Sequence, residues 1–284
     1  MTEPQPQTNA QISIHLPDLP DIIQQICSPS VDISNLAGII SEHQALAAEV
    51  LDTINAPYFN LVRQISSLDE AVRFLGQERI VKLATARSLK SAIFTRQNAF
   101  TEEIWSTSEK TAITCVLISK ELKVSSTEVS YETGLYHNTG MALMFNHFDN
   151  YRQVLKSAYK HESGAISAFE HHHLHTHHAA LGADLAQKWQ LSEMQCEVIR
   201  NHHSHKWIKQ CFAENDEEKS GLIALLKLSE FIVHLPGYLA QAPTNHEWNQ
   251  ISEPILDYFD LNEMKLERLK RMISQKSRYD RRPA

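Results

Sequence analysis

The sequence predicts an all-α protein, and three features carry that prediction. Glycine is scarce, with 8 in 284 residues, less than half of its usual share of roughly 7%. Leu, Ala, Ile, Glu, Gln and Lys are plentiful, which suits helices joined by short turns. Apolar residues recur at steps of three and four, with capping residues where the runs begin. A chain of 284 residues is long enough for one large domain or two smaller ones and buries a core readily.

Taken in order, the polar residues 1–15 read as a disordered lead-in. In LPDLPDIIQQI, Pro20 suits the first turn of a helix, where the N–H it lacks would be unpaired. Asp32 is the expected N-cap of a second helix whose Ile33, Leu36, Ala37 and Ile40 share a face. Leu46, Val50, Leu51 and Ile54 form the next apolar stripe, which Pro57 breaks. In ISSLDEAVRFLG, Ser67 and Glu70 form a capping box and Gly76 a C-terminal stop. Ile80, Leu83, Ala84 and Leu89 mark one more, so five helices are expected within residues 17–94.

The polar TRQNAFTEE, residues 95–103, reads as a seam. A helix follows with Trp105, Ala112, Val116 and Ile118 toward the core. YETGLYHNTGMALMF predicts a helix interrupted, or tightly packed, around Gly134 and Gly140. NYRQVLKSAY is another, and a helix with Leu181, Leu185 and Trp189 at four-residue steps comes after a histidine tract. EMQCEVIRNHHSH makes one more. ENDEEKSG, residues 214–221, reads as a solvated loop, and LIALLKLSEFIVHL as a buried helix. The basic end, LERLKRMISQKSRYDRRPA, reads as a solvated last helix with a frayed tail. No repeat of fixed period is visible.

Composition narrows the function. A formal charge of −7 disfavours nucleic acid as a partner, because such binders present a basic face. Cys27, Cys115, Cys196 and Cys211 lie far apart and form no C-x-x-C pair, so they read as reduced, mostly buried thiols of a cytoplasmic protein. No signal-peptide pattern opens the chain, and no run approaches the roughly 18 apolar residues of a membrane span.

The chemistry sits in the histidines. EHHHLHTHHAALGADLAQKW, residues 170–189, holds six of them within eight positions. On one helix, His171 with His175 and His173 with His177 would each share a face and could chelate a metal. Apart from Glu170, however, the tract lacks the carboxylates that offset an ion's charge and bridge metals. His171, His172, His173 and His175 therefore read as a polar surface turn. His178 opens an apolar helix and can point inward. With His137, His202 and His203 it makes a pocket fed by three helices a serious proposal.

At this point the residues resemble a known family. LPDLPDIIQQI, LAGIISEHQALAAEVLDTINAPYF and ISSLDEAVRFLG, followed by HAALGADLAQKW and IRNHH, resemble the HDOD domains, relatives of the HD and HD-GYP metal-dependent phosphohydrolases. The resemblance runs from about Leu16 to His203, with a weaker extension to about Leu235. It implies an HDOD fold with an N-terminal five-helix bundle over 16–95, packed on a degenerate HD-like subdomain over 100–235. A C-terminal helical extension and basic tail would fill 236–284.

In the catalytic relatives a helix histidine, an adjacent His-Asp pair and a later Asp hold the metal. The matching positions here are Thr107, His137, Asn138 and Glu230, and the lysine that often follows the pair is Met141. Asn138 offers a neutral amide oxygen and Thr107 a protonated hydroxyl, while Glu230 is a methylene longer than Asp. A dication facing His137, Asn138 and Glu230 would keep most of its charge unbalanced in a partly dry pocket. The resemblance thus implies no catalytic residues, no required cofactor and no metal at full occupancy. His178, His202 and His203 remain as ligands for a weak or adventitious divalent ion, or for an anion.

Three function classes follow. The first is a non-catalytic module of bacterial signal transduction that acts through a protein partner in trans. The second is a metal-dependent phosphohydrolase of a nucleotide or cyclic dinucleotide. The third is a nucleotide-binding sensor without turnover, whose protonated histidines would hold phosphate below pH about 6.5.

Overall fold

Local capping decides where most helices begin. The Asp32 carboxylate accepts the Ser34 N–H at 2.8 Å and starts α2 (Ile33–Ser41), just after α1 (Asp21–Ile26), whose N-cap is Pro20. Then come α3 (Gln44–Asn55) and α4 (Leu68–Leu75). Ser67 accepts the Glu70 N–H at 3.2 Å, but the Glu70 carboxylate turns to the Ser66 N–H and hydroxyl instead of completing the expected box. Gly76, at φ 85°, ends α4 and opens α5 (Gln77–Ile93). In the computed structural model, which describes residues 14–278 apart from positions 57, 59, 60, 62, 97 and 215, these five helices precede the long central ones. The expected disorder of the lead-in and the fraying of the last residues fall mostly outside the described residues.

The seam expected over 95–103 is shorter than its polarity suggested. Asn98 accepts the N–H groups of Phe100 and Thr101 and closes a capping box, so α6 (Ala99–Leu122) already contains half of that stretch. α7 (Thr127–Tyr136) and α8 (Thr139–His147) break at His137–Asn138, not at the glycines. Next are α9 (Tyr151–Lys160), α10 (Ile166–Leu174), α11 (His178–Lys188), α12 (Glu193–Asn201) and α13 (His205–Ala213). The 214–221 stretch is mostly not a loop. Asp216 accepts the Lys219 N–H at 3.1 Å and starts α14 (Glu217–Val233), whose acidic first turn favours the positive helix end. α15 (Leu235–Ala240), α16 (His246–Tyr258) and α17 (Glu263–Arg278) complete the chain. No described residue forms a strand, and no described helix is long and apolar enough to cross a membrane.

α6 and α14 pack together at the centre, with most of their side chains buried. Arg87 of α5 ties the N-terminal helices to this centre. It reaches Glu49 of α3 at 3.3 Å, Glu109 of α6 at 2.8 Å and the Tyr131 hydroxyl of α7 at 3.3 Å. At the other end, Trp189 Nε1 and Lys188 Nζ donate to the carbonyls of Pro17 and Leu16.

The two glycines named in the sequence set close approaches. A Cβ on Gly140 would stand 1.9 Å from the His178 carbonyl oxygen, and one on Gly134 would stand 2.6 Å from Ala112 Cα. Without side chains there, α8 meets the first turn of α11, and α7 meets α6. Gly140→Ala is expected to lower the unfolding free energy by about 3 kcal/mol, because backbone must move. Gly38→Ala, on the open face of α2 with nothing within 4 Å, should raise it by about 0.5–1 kcal/mol. Denaturant melts of the two variants check both signs.

Candidate metal centre

Each histidine of the candidate site is fixed by the hydrogen bond of its Nδ1–H. His137, capping α7, donates to the Gly134 carbonyl at 2.7 Å, and His202, capping α12, to the Ile199 carbonyl at 2.6 Å. His178, opening α11, donates to Glu170 Oε2 at 2.7 Å, and His203 donates to Glu247 Oε1 at 2.6 Å. All four rings are buried. With Nδ1 protonated, a neutral ring carries a lone pair on Nε2. The Nε2 atoms thus point inward as acceptors wherever the ring carries no second proton.

Those lone pairs confront other electron-rich atoms. His178 Nε2 and His203 Nε2 stand 3.1 Å apart, a hydrogen bond only when one of the two rings carries a second proton. Glu230 Oε1 lies 3.3 Å from His137 Nε2 and 3.9 Å from His202 Nε2. His137 Nε2, His202 Nε2, Glu230 Oε1, the Tyr159 hydroxyl and both amide atoms of Asn138 find no hydrogen-bond partner among the described residues. Nitrogens bound to one zinc at about 2.0–2.1 Å in tetrahedral array stand roughly 3.3 Å apart, so the 3.1 Å separation is close to that of two ligands on one ion. One ring nitrogen from each of His178, His202 and His203 lies within 4.8 Å of the other two. A carboxylate or carbonyl on the far nitrogen of each ring is the usual support of a metal-bound imidazole. The residues fit one divalent transition metal.

Carboxylates are present, contrary to the expectation that the imidazoles lack acidic neighbours. Glu170 accepts both the backbone N–H (3.0 Å) and the ring N–H of His178, and its other oxygen accepts the Tyr151 hydroxyl at 2.8 Å. Glu247, brought in by α16, accepts from His203 and from Lys227 Nζ at 2.8 Å. Gly164, at φ 62°, lets the turn before α10 lie against the Glu247 backbone, where a Cβ would stand 2.6 Å from its nitrogen. The buried ammonium of Lys227 also pairs with Glu230, three residues on. With Glu230 ionised, three carboxylates against one ammonium leave two negative charges around the imidazoles, which a single dication would balance.

The expected positions thus divide. His137, His178, His202, His203 and Glu230 converge, and Asn138 is buried beside His137 in the chain. Thr107 does not turn its hydroxyl to the centre but donates it to the carbonyls of Glu103 and Ile104 on its own helix. His171, His172, His173 and His175 are exposed. The four-apart pairs do not form on one helix, because His175 adopts φ 56° and ends α10. His177 instead caps α11, its Nδ1 accepting the Ala180 N–H at 3.2 Å. Sequence reasoning missed Glu247, Lys227 and the structural part of Glu170. A lysine and a glutamate three apart inside the apolar LIALLKLSEFIV signalled a buried pair, whereas nothing near Glu247 signals its role.

Burial sets the proton affinities. It pushes His137 down to about 3 and His202 and His203 well below the ordinary imidazole value. Burial raises Glu230 to about 7 against the pull of Lys227. Groups held below their unfolded value stabilise the fold fully above about pH 6.5 and lose that contribution as pH falls toward the folded values. Glu230, held above its unfolded value, acts in the opposite sense and loses its contribution as pH rises from about 4.5 through 7. Three groups outweigh one. In chelator-treated protein, stability should fall on acidification from pH 6.5 to 4.5 by up to about 3 kcal/mol per unit. Thermal melts across that range test this, and a flat profile would contradict it.

Comparison with known proteins gives the lineage. The HDOD domain family matches residues 16–205. A Shewanella amazonensis structure named "Putative phosphohydrolase" has 20% identity and a TM-score of 0.61, over 92% of this chain and 90% of that one. An HDOD domain protein with unknown function from Geobacter sulfurreducens has 22% identity and a TM-score of 0.57, over 92% and 93%. A "Putative signal transduction protein" from Marinobacter aquaeolei VT8 has 20% identity and a TM-score of 0.51, over 92% of this chain and 60% of that one. An uncharacterized protein of Treponema pallidum is 27% identical over 203 residues, and the match takes in 38% of that relative's length. These structures share the fold with this chain, and the match over 16–205 settles its ancestry: the chain belongs to the HDOD domain family.

Proposed function

We propose that this chain is a regulatory module that signals through contacts with a protein partner, and that its imidazole centre holds one divalent ion without hydrolysing phosphoesters. The observation that supports this reading is that Glu170 and Glu247 have both oxygens occupied on the far side of the rings, and that Glu230, whose Oε1 alone faces the imidazoles, shares Lys227 through its other oxygen. Glu170 is held by His178 and Tyr151, Glu247 by His203 and Lys227, and Glu230 by Lys227. A hydrolytic centre needs an open position, an ion-bound water and a group that takes its proton, and two-metal centres need bridging oxygens. Asn138, where catalytic relatives carry Asp, supplies neither charge nor proton acceptance.

The sequence alone argued for no ion at full occupancy, on the ground that the imidazoles lacked acidic support. The geometry favours one ion, because that support comes from the far side of each ring. When bound, such an ion supplies cross-linking between α11 and the α12–α13 turn. His178, His202 and His203 would hold it, with Glu170 and Glu247 fixing two of their tautomers. The signalling half of the proposal rests on family likeness and on Asn138 standing where the catalytic relatives carry a carboxylate.

The alternative of a phosphate-holding sensor at this centre fares worse. Its imidazoles would have to be protonated, and burial opposes protonation of His137, His202 and His203. Lys227 is already shared by two carboxylates.

Turnover separates module from hydrolase. The purified full chain, supplied in turn with manganese, iron and magnesium, is expected to leave bis(p-nitrophenyl) phosphate, p-nitrophenyl phosphate and a panel of cyclic dinucleotides intact above the blank. An enzyme-like rate with any of them that is lost in His178→Ala contradicts the proposal.

A further inference from the structure

A groove of about 910 Å3 lies between the N-terminal helices and the body that carries the imidazole centre. Ile26, Val81, Leu191, Leu222 and Trp189 give it apolar walls. Its size falls within the few hundred to about 1,000 Å3 of small-molecule sites, which favour seams of this kind. Glu78, Glu132 and Glu218 face Lys82 as its charged lining, so negative charge dominates.

Glu132 is the unusual member. It stands on α7 and is 6% exposed, nearly dry yet part of the groove wall. Lys82 gives its hydrogen bond to Glu78 at 3.0 Å and acts on Glu132 only through space. One Glu132 oxygen, Oε2, accepts from Gln195 Nε2 at 3.2 Å. The Gln195 amide cannot turn away, because its Oε1 accepts the Ser192 N–H and hydroxyl in the capping box of α12, and its Nε2 also donates to Thr133 at 3.4 Å. The other oxygen, Oε1, has no hydrogen-bond partner among the described residues. Burial pushes the carboxyl above its ordinary value, against Gln195 and Lys82. A buried carboxylate that no cation hydrogen-bonds is costly. This one is held in place by a fixed amide, on the wall of a groove with apolar sides.

We propose that this groove binds a small organic cation, an amine or guanidine on an apolar body, with Glu132 as its buried counter-ion and Gln195 as the residue that orients that carboxylate. The ligand's charge meets Oε1, and its apolar part covers the aliphatic wall. The site shares no residue with the imidazole centre, so it goes beyond the regulatory reading and stands or falls without it.

Calorimetry of the full chain with 4-phenylbutylamine and agmatine tests the proposal, with 4-phenylbutanol and 4-phenylbutyrate as neutral and anionic counterparts. The amine is expected to bind saturably, at least ten-fold more tightly than the alcohol, and the butyrate not at all. Glu132→Gln should weaken the amine at least ten-fold, whereas Glu253→Gln on exposed α16 surface should leave it unchanged. A second readout uses the unmodified chain. Cys27 is half-buried in the groove, and the other three cysteines are buried. Saturating amine should therefore slow its alkylation by N-ethylmaleimide at least five-fold. Absence of amine binding at millimolar concentration, equal binding of amine and alcohol, binding that survives Glu132→Gln, or an unmoved Cys27 rate overturns the proposal.

Discussion

The structure turns on the way four imidazoles spend their Nδ1 protons. Two go to carbonyls of the preceding helical turn, at Gly134 and Ile199, and two to the carboxylates of Glu170 and Glu247. Each bond fixes a tautomer and aims a lone pair inward. Mutual repulsion of those lone pairs would open the cluster in the absence of a cation or shared protons. The helices around it are packed too closely to relax, as the approach of α8 to α11 at Gly140 shows. Backbone packing, ring orientation and charge thus form one constraint.

That constraint also separates holding an ion from using it. In a hydrolytic site carboxylates take part directly, as ligands, bridges and proton acceptors. Here Glu170 and Glu247 are displaced to the far side of the rings, where they strengthen imidazole as a ligand without touching what it binds. Lys227 adds a permanent positive charge. Burial alone would lower its proton affinity, but Glu230 and Glu247 outweigh that and hold the ammonium above its ordinary value. On the proposed reading, such a centre serves stability and not turnover.

Much of this was legible in the sequence where the physics is local. Asp32, Ser67 and Gly76 act as caps because a cap needs only its neighbours. His178 was separable from the exposed tract because the apolar stretch after it must bury its first turn. Where contacts are remote, the reading stopped. Glu247 meets His203 across 44 positions, outside the stretch that resembles the family. The pairing of Glu170 with His178 needs the left-handed turn at His175 to fold the chain back, and no pattern rule assigns that conformation to a histidine. The acidic 214–221 stretch misled for a related reason: Glu217 and Glu218 look solvated, yet they open a helix that Asp216 caps.

The central claim is that charge and lone-pair geometry provide for a single dication. Native mass spectrometry of tag-free full-length chain, stripped with chelator and titrated with zinc, tests it most directly. The account predicts one tightly held ion per chain, lost together with its thermal stabilisation in His203→Ala. A chain that takes up two ions cooperatively, or none at micromolar zinc, would contradict it.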